Sequence, residues 1–151
     1  FTMKSIQKIL KKKKYIKIKL KKIATNHLEL KAKINGVSGR FILDTGASNS
    51  CVGLDMITYF NLDAKESETK AAGAGATDME TQQSENNELK IGDWKTKKCH
   101  LVLFNLSHVN TALTQHNAKE VHGIIGADIL LKGKAFIDYN KNLLYLKKTK
   151  K

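Results

Sequence analysis

Phe41-Ile42-Leu43-Asp44-Thr45-Gly46-Ala47-Ser48 is the stretch whose reading decides the fold. Three bulky apolar side chains should drive the segment into a core, yet the run ends on a carboxylate. Gly46 allows a tight turn two positions later, and the hydroxyls of Thr45 and Ser48 stand beside it. A carboxylate taken out of water is costly unless it is hydrogen-bonded or doing chemistry. Here the donors are supplied locally, by two hydroxyls and by the amides of a glycine-containing turn. The pattern is that of a strand delivering one acid to the surface of an apolar region.

Upstream of it the chain alternates. Residues 15 to 23 read Tyr-Ile-Lys-Ile-Lys-Leu-Lys-Lys-Ile, a period of two that marks a half-buried strand. His27 to Ile34 alternates again through Leu28, Leu30, Ala32 and Ile34. Asn35-Gly36 signals a hairpin, with Val37-Ser38-Gly39 extending the turn into an Arg40–Leu43 strand. Downstream, Leu54 to Phe60 reads as a short helix covering the sheet. Glu88–Ile91 and Trp94–Phe104 read as a second hairpin around Gly92-Asp93. Residues 105 to 120 are polar and read as irregular. The chain holds no proline, so its turns rest on Gly, Asn and Asp.

Asp-Thr-Gly alone is a weak signal, because strands often end on Asp and Gly. Preceded by an apolar run and followed by Ala-Ser, it resembles the active-site motif of aspartic proteases, and the chain length points to the retropepsin-like kind. A second block, Gly123-Ile124-Ile125-Gly126-Ala127-Asp128-Ile129-Leu130, is similar to the apolar pair, glycine and short helix that pack under the catalytic loop in that family. Ala135–Tyr139 and Leu143–Leu146 resemble its closing hairpin. The resemblance spans roughly residues 15 to 147. It implies a mainly β, closed β-barrel-like fold with one or two short helices, working as a homodimer. Residues 1–14 and 148–151 are then basic tails.

The resemblance further implies an aspartic endopeptidase without metal or cofactor, acting on peptide or protein substrates. Asp44 would be catalytic, with Thr45, Gly46, Ala47 and Ser48 in support, Thr45 bonding across the dimer axis and Ser48 donating to Asp44. Ile124, Ile125 and Gly126 would brace the catalytic loop. The segment 65–84, tiny and flexible in its middle, would carry a flap with Ala72, Gly73, Ala74, Gly75 and Ala76 near its tip; composition alone suits a disordered surface loop equally well. Asp128 and Asp138 lack the surroundings of Asp44 and fit a helix N-terminus and a strand end. An alternative is a non-catalytic peptide-binding or dimerisation module with the same fold.

The 151 residues suit one domain, and the net charge of +13 is unevenly placed. Ten lysines fall between Lys4 and Lys22 without an acid among them, and four more close the chain from Lys147. Residues 23 to 146 hold thirteen basic and fourteen acidic side chains, so the body is near neutral. A basic end can touch nucleic acid or an anionic membrane, but a solvated tail and an edge strand guarded by lysines account for it more simply. Aromatic interleaving is missing from that end, and a nucleic-acid-binding barrel is the weakest reading, because with a near-neutral body its binding surface would lie in the tail alone. No run approaches the roughly eighteen apolar residues of a membrane span. The five histidines lack a ligand-like spacing, and Cys51 and Cys99 read as small core residues. Two cysteines do not argue for an oxidising compartment, and cytoplasm is the default expectation. His122, next to the second block, is a candidate for tuning the site.

Overall fold

The computed structural model describes residues 3–66, 71–73, 76–79 and 81–148. Among the described residues, thirteen strands and three α-helices run in the order α1 (Met3–Lys12), β1 (Tyr15–Lys19), β2 (Lys21–Lys22), β3 (Leu28–Ile34), β4 (Val37–Leu43), β5 (Cys51–Gly53), β6 (Ala64–Glu66), β7 (Ala71–Gly73), β8 (Ala76–Met79), β9 (Gln82–Ile91), β10 (Trp94–Phe104), α2 (Ser107–Gln115), β11 (Gly123–Ile125), α3 (Ala127–Lys132), β12 (Phe136–Asp138) and β13 (Leu143–Lys147). A 3-10 turn covers Leu54–Met56, at the start of the segment expected to be a short helix.

Six strands close on themselves. β3, β4, β11, β5, β10 and β9 pair in that order, and β9 returns to β3 through Ile34 opposite Leu89. Closure leaves the ring without free edges, while β2 and β6 hang on its outside. The fold is therefore the mainly β barrel that the motif implied. Its first hairpin is tighter than the sequence suggested: Ile34 pairs with Val37 across Asn35-Gly36 alone. Both turn residues take positive φ, 51° and 82°, the combination that lets a two-residue turn follow strand twist.

Inside the ring lie Phe41, Phe60, Ile34, Leu89, Leu101, Leu103 and Ile125, each essentially inaccessible to water. Burial of such side chains contributes on the order of 1.5–3 kcal/mol apiece. Ile42 points the other way, into a separate cluster with Leu113 and Val121. Helix α2 supplies Leu113, so the outer face of β4 is roofed by a segment that looked irregular in sequence. Asn110 holds that roof down, donating to the Val121 carbonyl at 3.1 Å and accepting its N–H at 2.7 Å.

A second, three-stranded sheet, β1-β13-β12, stands beside the barrel. The buried Trp94 ties the two together by donating its indole N–H to Lys147 at 3.0 Å. The basic N-terminal segment is a docked helix along Met3–Lys12: Leu10 is buried against Leu143 and Tyr145, with Ile6 and Tyr15 at the margin. Ile6 and Leu10 are four residues apart, one face of a helix, and the lysines take the other.

Candidate active site

Asp44 follows the last residue of β4, and three backbone contacts fix its position. Its N–H donates to Ile125 at 2.9 Å, its carbonyl accepts Ala47 N–H at 3.2 Å, and Oδ1 accepts Gly46 N–H at 2.9 Å. The aspartate thus caps its own turn, and Gly46 sits close because a side chain there would meet Oδ1 at 3.3 Å. Asp44, Thr45, Gly46 and Ser48 are exposed and Ala47 half-buried. Ser48 forms no hydrogen bond among the described residues, so the donation to Asp44 expected of it is absent from the single chain.

The hydroxyl that works inside this loop belongs to Ser50, which sequence reading passed over. Ser50 is completely buried; its Oγ accepts Gly126 N–H at 2.9 Å and donates to Asp128 Oδ1 at 2.7 Å. The Ser50 N–H also reaches Asp128, at 3.0 Å from both oxygens, and Ile129 N–H donates to Oδ1 at 2.9 Å. Asp128 therefore does bond an amide of its own short helix, but its main partner is the far end of the aspartate loop. The spacing of Ser50 from the motif gave no hint, since an inward-facing serine and a solvent-facing one look alike in sequence.

Beneath the loop runs β11, threaded between β4 in parallel and β5 antiparallel. Ile125 lies opposite Leu43, Ile124 opposite Ile42, and Gly123 opposite both Phe41 and Val52. Ala127 N–H then donates to Ala47 at 2.7 Å. This approach admits nothing larger than glycine at 126, where an added Cβ would lie 2.5 Å from the Ala47 carbonyl oxygen. Ile125 accepts Asp44 N–H and Gly126 donates its N–H to Ser50, whereas Ile124 packs in the outer clusters with Ile42, Cys51 and Val109.

The flap residues divide. Ala72 and Gly73 belong to β7 and Ala76 to β8, which pair antiparallel with Ala71 opposite Met79 and Gly73 opposite Ala76. Ala74 and Gly75 lie outside the described residues.

Cys51 and Cys99 are free and buried, each thiol pushed up to about 12, chiefly by burial. Asp128 and Asp44 add to the effect at Cys51. A thiol that keeps its proton at neutral pH is a poor nucleophile. Asp138 accepts Lys141 N–H at 3.0 Å in a turn. No cluster of three or more potential metal ligands exists among the described residues. No helix among them is long and apolar enough to cross a membrane.

His122 faces Arg40 and Tyr59 rather than Asp44. Its Nδ1 accepts Arg40 N–H at 2.9 Å and its ring stacks on Tyr59, centroids 5.3 Å apart. Burial, then the Arg40 charge, lowers its pKa below the ordinary 6.5. The unfolded chain therefore binds the extra proton first. Stability from this group is complete above 6.5 and is lost as pH falls through the lowered value. Melting temperature should decline over that window, and His122→Gln, whose Oε1 still accepts the Arg40 amide, should flatten the decline.

These features can be set beside known proteins. Residues 30–129 match the family model described as aspartyl protease. A comparison with curated protein sequences gave no match. Among solved structures the chain is similar to a retropepsin-like aspartic protease from Rickettsia conorii, at TM-score 0.58 and 20% identity over 87% of this chain and 91% of that one. It is similar to EIAV protease complexed with an inhibitor, at TM-score 0.56 and 19% identity over 73% and 90%. The retroviral protease-like domain of Ddi1 from Leishmania major aligns at TM-score 0.53 and 16% identity over 80% and 87%. Barrel, aspartate loop and matched region agree: the chain belongs to the aspartyl protease family, with a retropepsin-like fold.

Proposed function

We propose that the protein is a homodimeric aspartic endopeptidase in which Asp44 of two subunits forms the catalytic pair. The observation that carries this reading is the contrast between the two carboxylates of the loop region. Asp128 is tied up by Ser50 and Ile129, whereas Asp44 is exposed and its side chain has, among the described residues, a single hydrogen bond, from Gly46. One free acid cannot both take a proton from water and give one to a leaving nitrogen. A two-fold axis through the exposed loop provides the second, since an isologous interface presents the same residue from both sides.

Two like charges held close cannot both ionise, so the pair shares one proton. The unprotonated carboxylate takes a proton from water as its oxygen attacks the peptide carbonyl. The protonated one gives its proton to the departing amine nitrogen, and the pair titrates as a unit. An extended peptide would lie between loop and flap as an added strand, β7 and β8 closing over it. Thr45, exposed in the loop, would bond its own copy across the axis. Light scattering tests the reading: twice the monomer mass is expected at micromolar concentration, together with hydrolysis of unstructured peptides. A strict monomer that still cleaved would overturn the shared pair.

A further inference from the structure

Six lysines line one surface that shares no residue with the aspartate loop. Two neighbouring hollows, of about 410 and about 420 Å³, share Lys17. Lys8 and Lys11 of α1 wall the first, while Lys19, Lys21 and Lys31 wall the second. All six lysines are exposed, and none makes an ion pair among the described residues. Glu29, the acid lining the second hollow, is buried and held by Arg40 at 3.2 Å. Between the ammonium groups the walls are mainly apolar, with Ile18, Leu20 and Leu30 behind them. No lining residue belongs to the loop 44–50 or to β11.

We propose that this joined groove is a docking surface for an extended acidic segment of a partner protein. Lys17 and Lys19 alternate with buried Ile18 along β1, so their side chains leave the same face about 6–7 Å apart. A polypeptide in extended form with an acid at every second position repeats at the same interval. Its intervening side chains alternate to the far face and stay clear of the lysines, while the backbone and the acids' methylene groups lie along the apolar walls. A single-stranded nucleic acid has the charge but needs exposed rings to stack its bases, and the groove offers only the half-buried Tyr15 and the buried Tyr145. A membrane surface would need the apolar face of α1, which is already packed through Leu10 on Leu143 and Tyr145. Like charges also disfavour a second copy of this surface.

The inference holds whether or not Asp44 is catalytic, and its test reads binding alone. Fluorescence anisotropy of a labelled peptide of alternating glutamate and valine, titrated with the full chain, should show saturable binding that weakens as salt is added. Lys17→Glu/Lys19→Glu should bind roughly ten-fold more weakly. Lys97→Glu/Lys98→Glu, an equal charge change on β10, should bind as the parent does. Circular dichroism checks that each pair is folded, and Lys17→Gln/Lys19→Gln provides the gentler substitution should the reversal unfold. The proposal is overturned if both reversed pairs lose binding equally, or if the peptide does not saturate. It is also overturned if a single-stranded oligonucleotide or phosphatidylserine vesicles bind more tightly than the peptide.

Discussion

Asp44→Asn is expected to remove peptide hydrolysis by a factor of about 10⁴ or more while the melting temperature barely moves. The two halves of that expectation have separate physical grounds. Asparagine keeps an Oδ1 that accepts Gly46 N–H, the bond that shapes the turn, and the residue is exposed, so stability should change by no more than about 0.5 kcal/mol. Chemistry is lost because an amide cannot take a proton from water or share one with its mate. Mixing the two forms sharpens the test. If subunits exchange and every centre needs both aspartates, an equal mixture should retain about half of the activity its wild-type chains show alone, since half of the dimers are hybrids. Activity that simply adds would mean that each chain works with its own acid, and the shared pair would fail.

The strand–aspartate–glycine run and the Gly123–Leu130 block were legible in the sequence because each depends on local rules: an apolar strand, a turn needing glycine, a backbone approach that excludes a side chain. The Asn35-Gly36 hairpin was legible for the same reason, although its second strand begins at Val37, three residues earlier than the turn chemistry suggested, the dipeptide alone sufficing. Helix α2 was not legible. Its helical face consists of Val109 and Leu113 in an otherwise polar stretch, and the residue before it, Leu106, offers no side-chain cap, the first N–H going instead to Asn105 Oδ1 at 2.8 Å. What makes it a helix is the outer face of β4, where Ile42 needs a cover, and that is a tertiary demand. The clue was present in Phe41-Ile42-Leu43, because consecutive apolar residues signal burial on both faces of a strand. Helix α1 was hidden by its lysines, which mask the short apolar stripe that docks it. Ser50 was hidden because nothing local distinguishes a serine whose partner is seventy-eight positions away.

That last partnership yields the second large effect. Asp128→Ala should cost about 2–4 kcal/mol of stability, because it strands the Ser50 N–H and hydroxyl, both within a fully buried residue, together with the Ile129 amide. It should also lower peptide hydrolysis by roughly a hundred-fold, since Ser50 ends the loop that Asp44 begins and a displacement of about 1 Å at a reacting group is enough for that. Asp128→Asn retains a carbonyl oxygen for the Ser50 donors and should recover most of both losses. Ser50→Ala removes one link of the chain from Gly126 N–H through Oγ to the carboxylate, so its cost combined with Asp128→Ala should fall short of the sum of the two. Strict additivity in thermal unfolding would show that the serine and the acid act separately, and α3 would then not be what holds the aspartate loop in place. A shortfall in stability without a parallel one in kcat/KM would place their coupling in the fold and leave the orientation of Asp44 to the Ile125 and Ala47 backbone bonds alone.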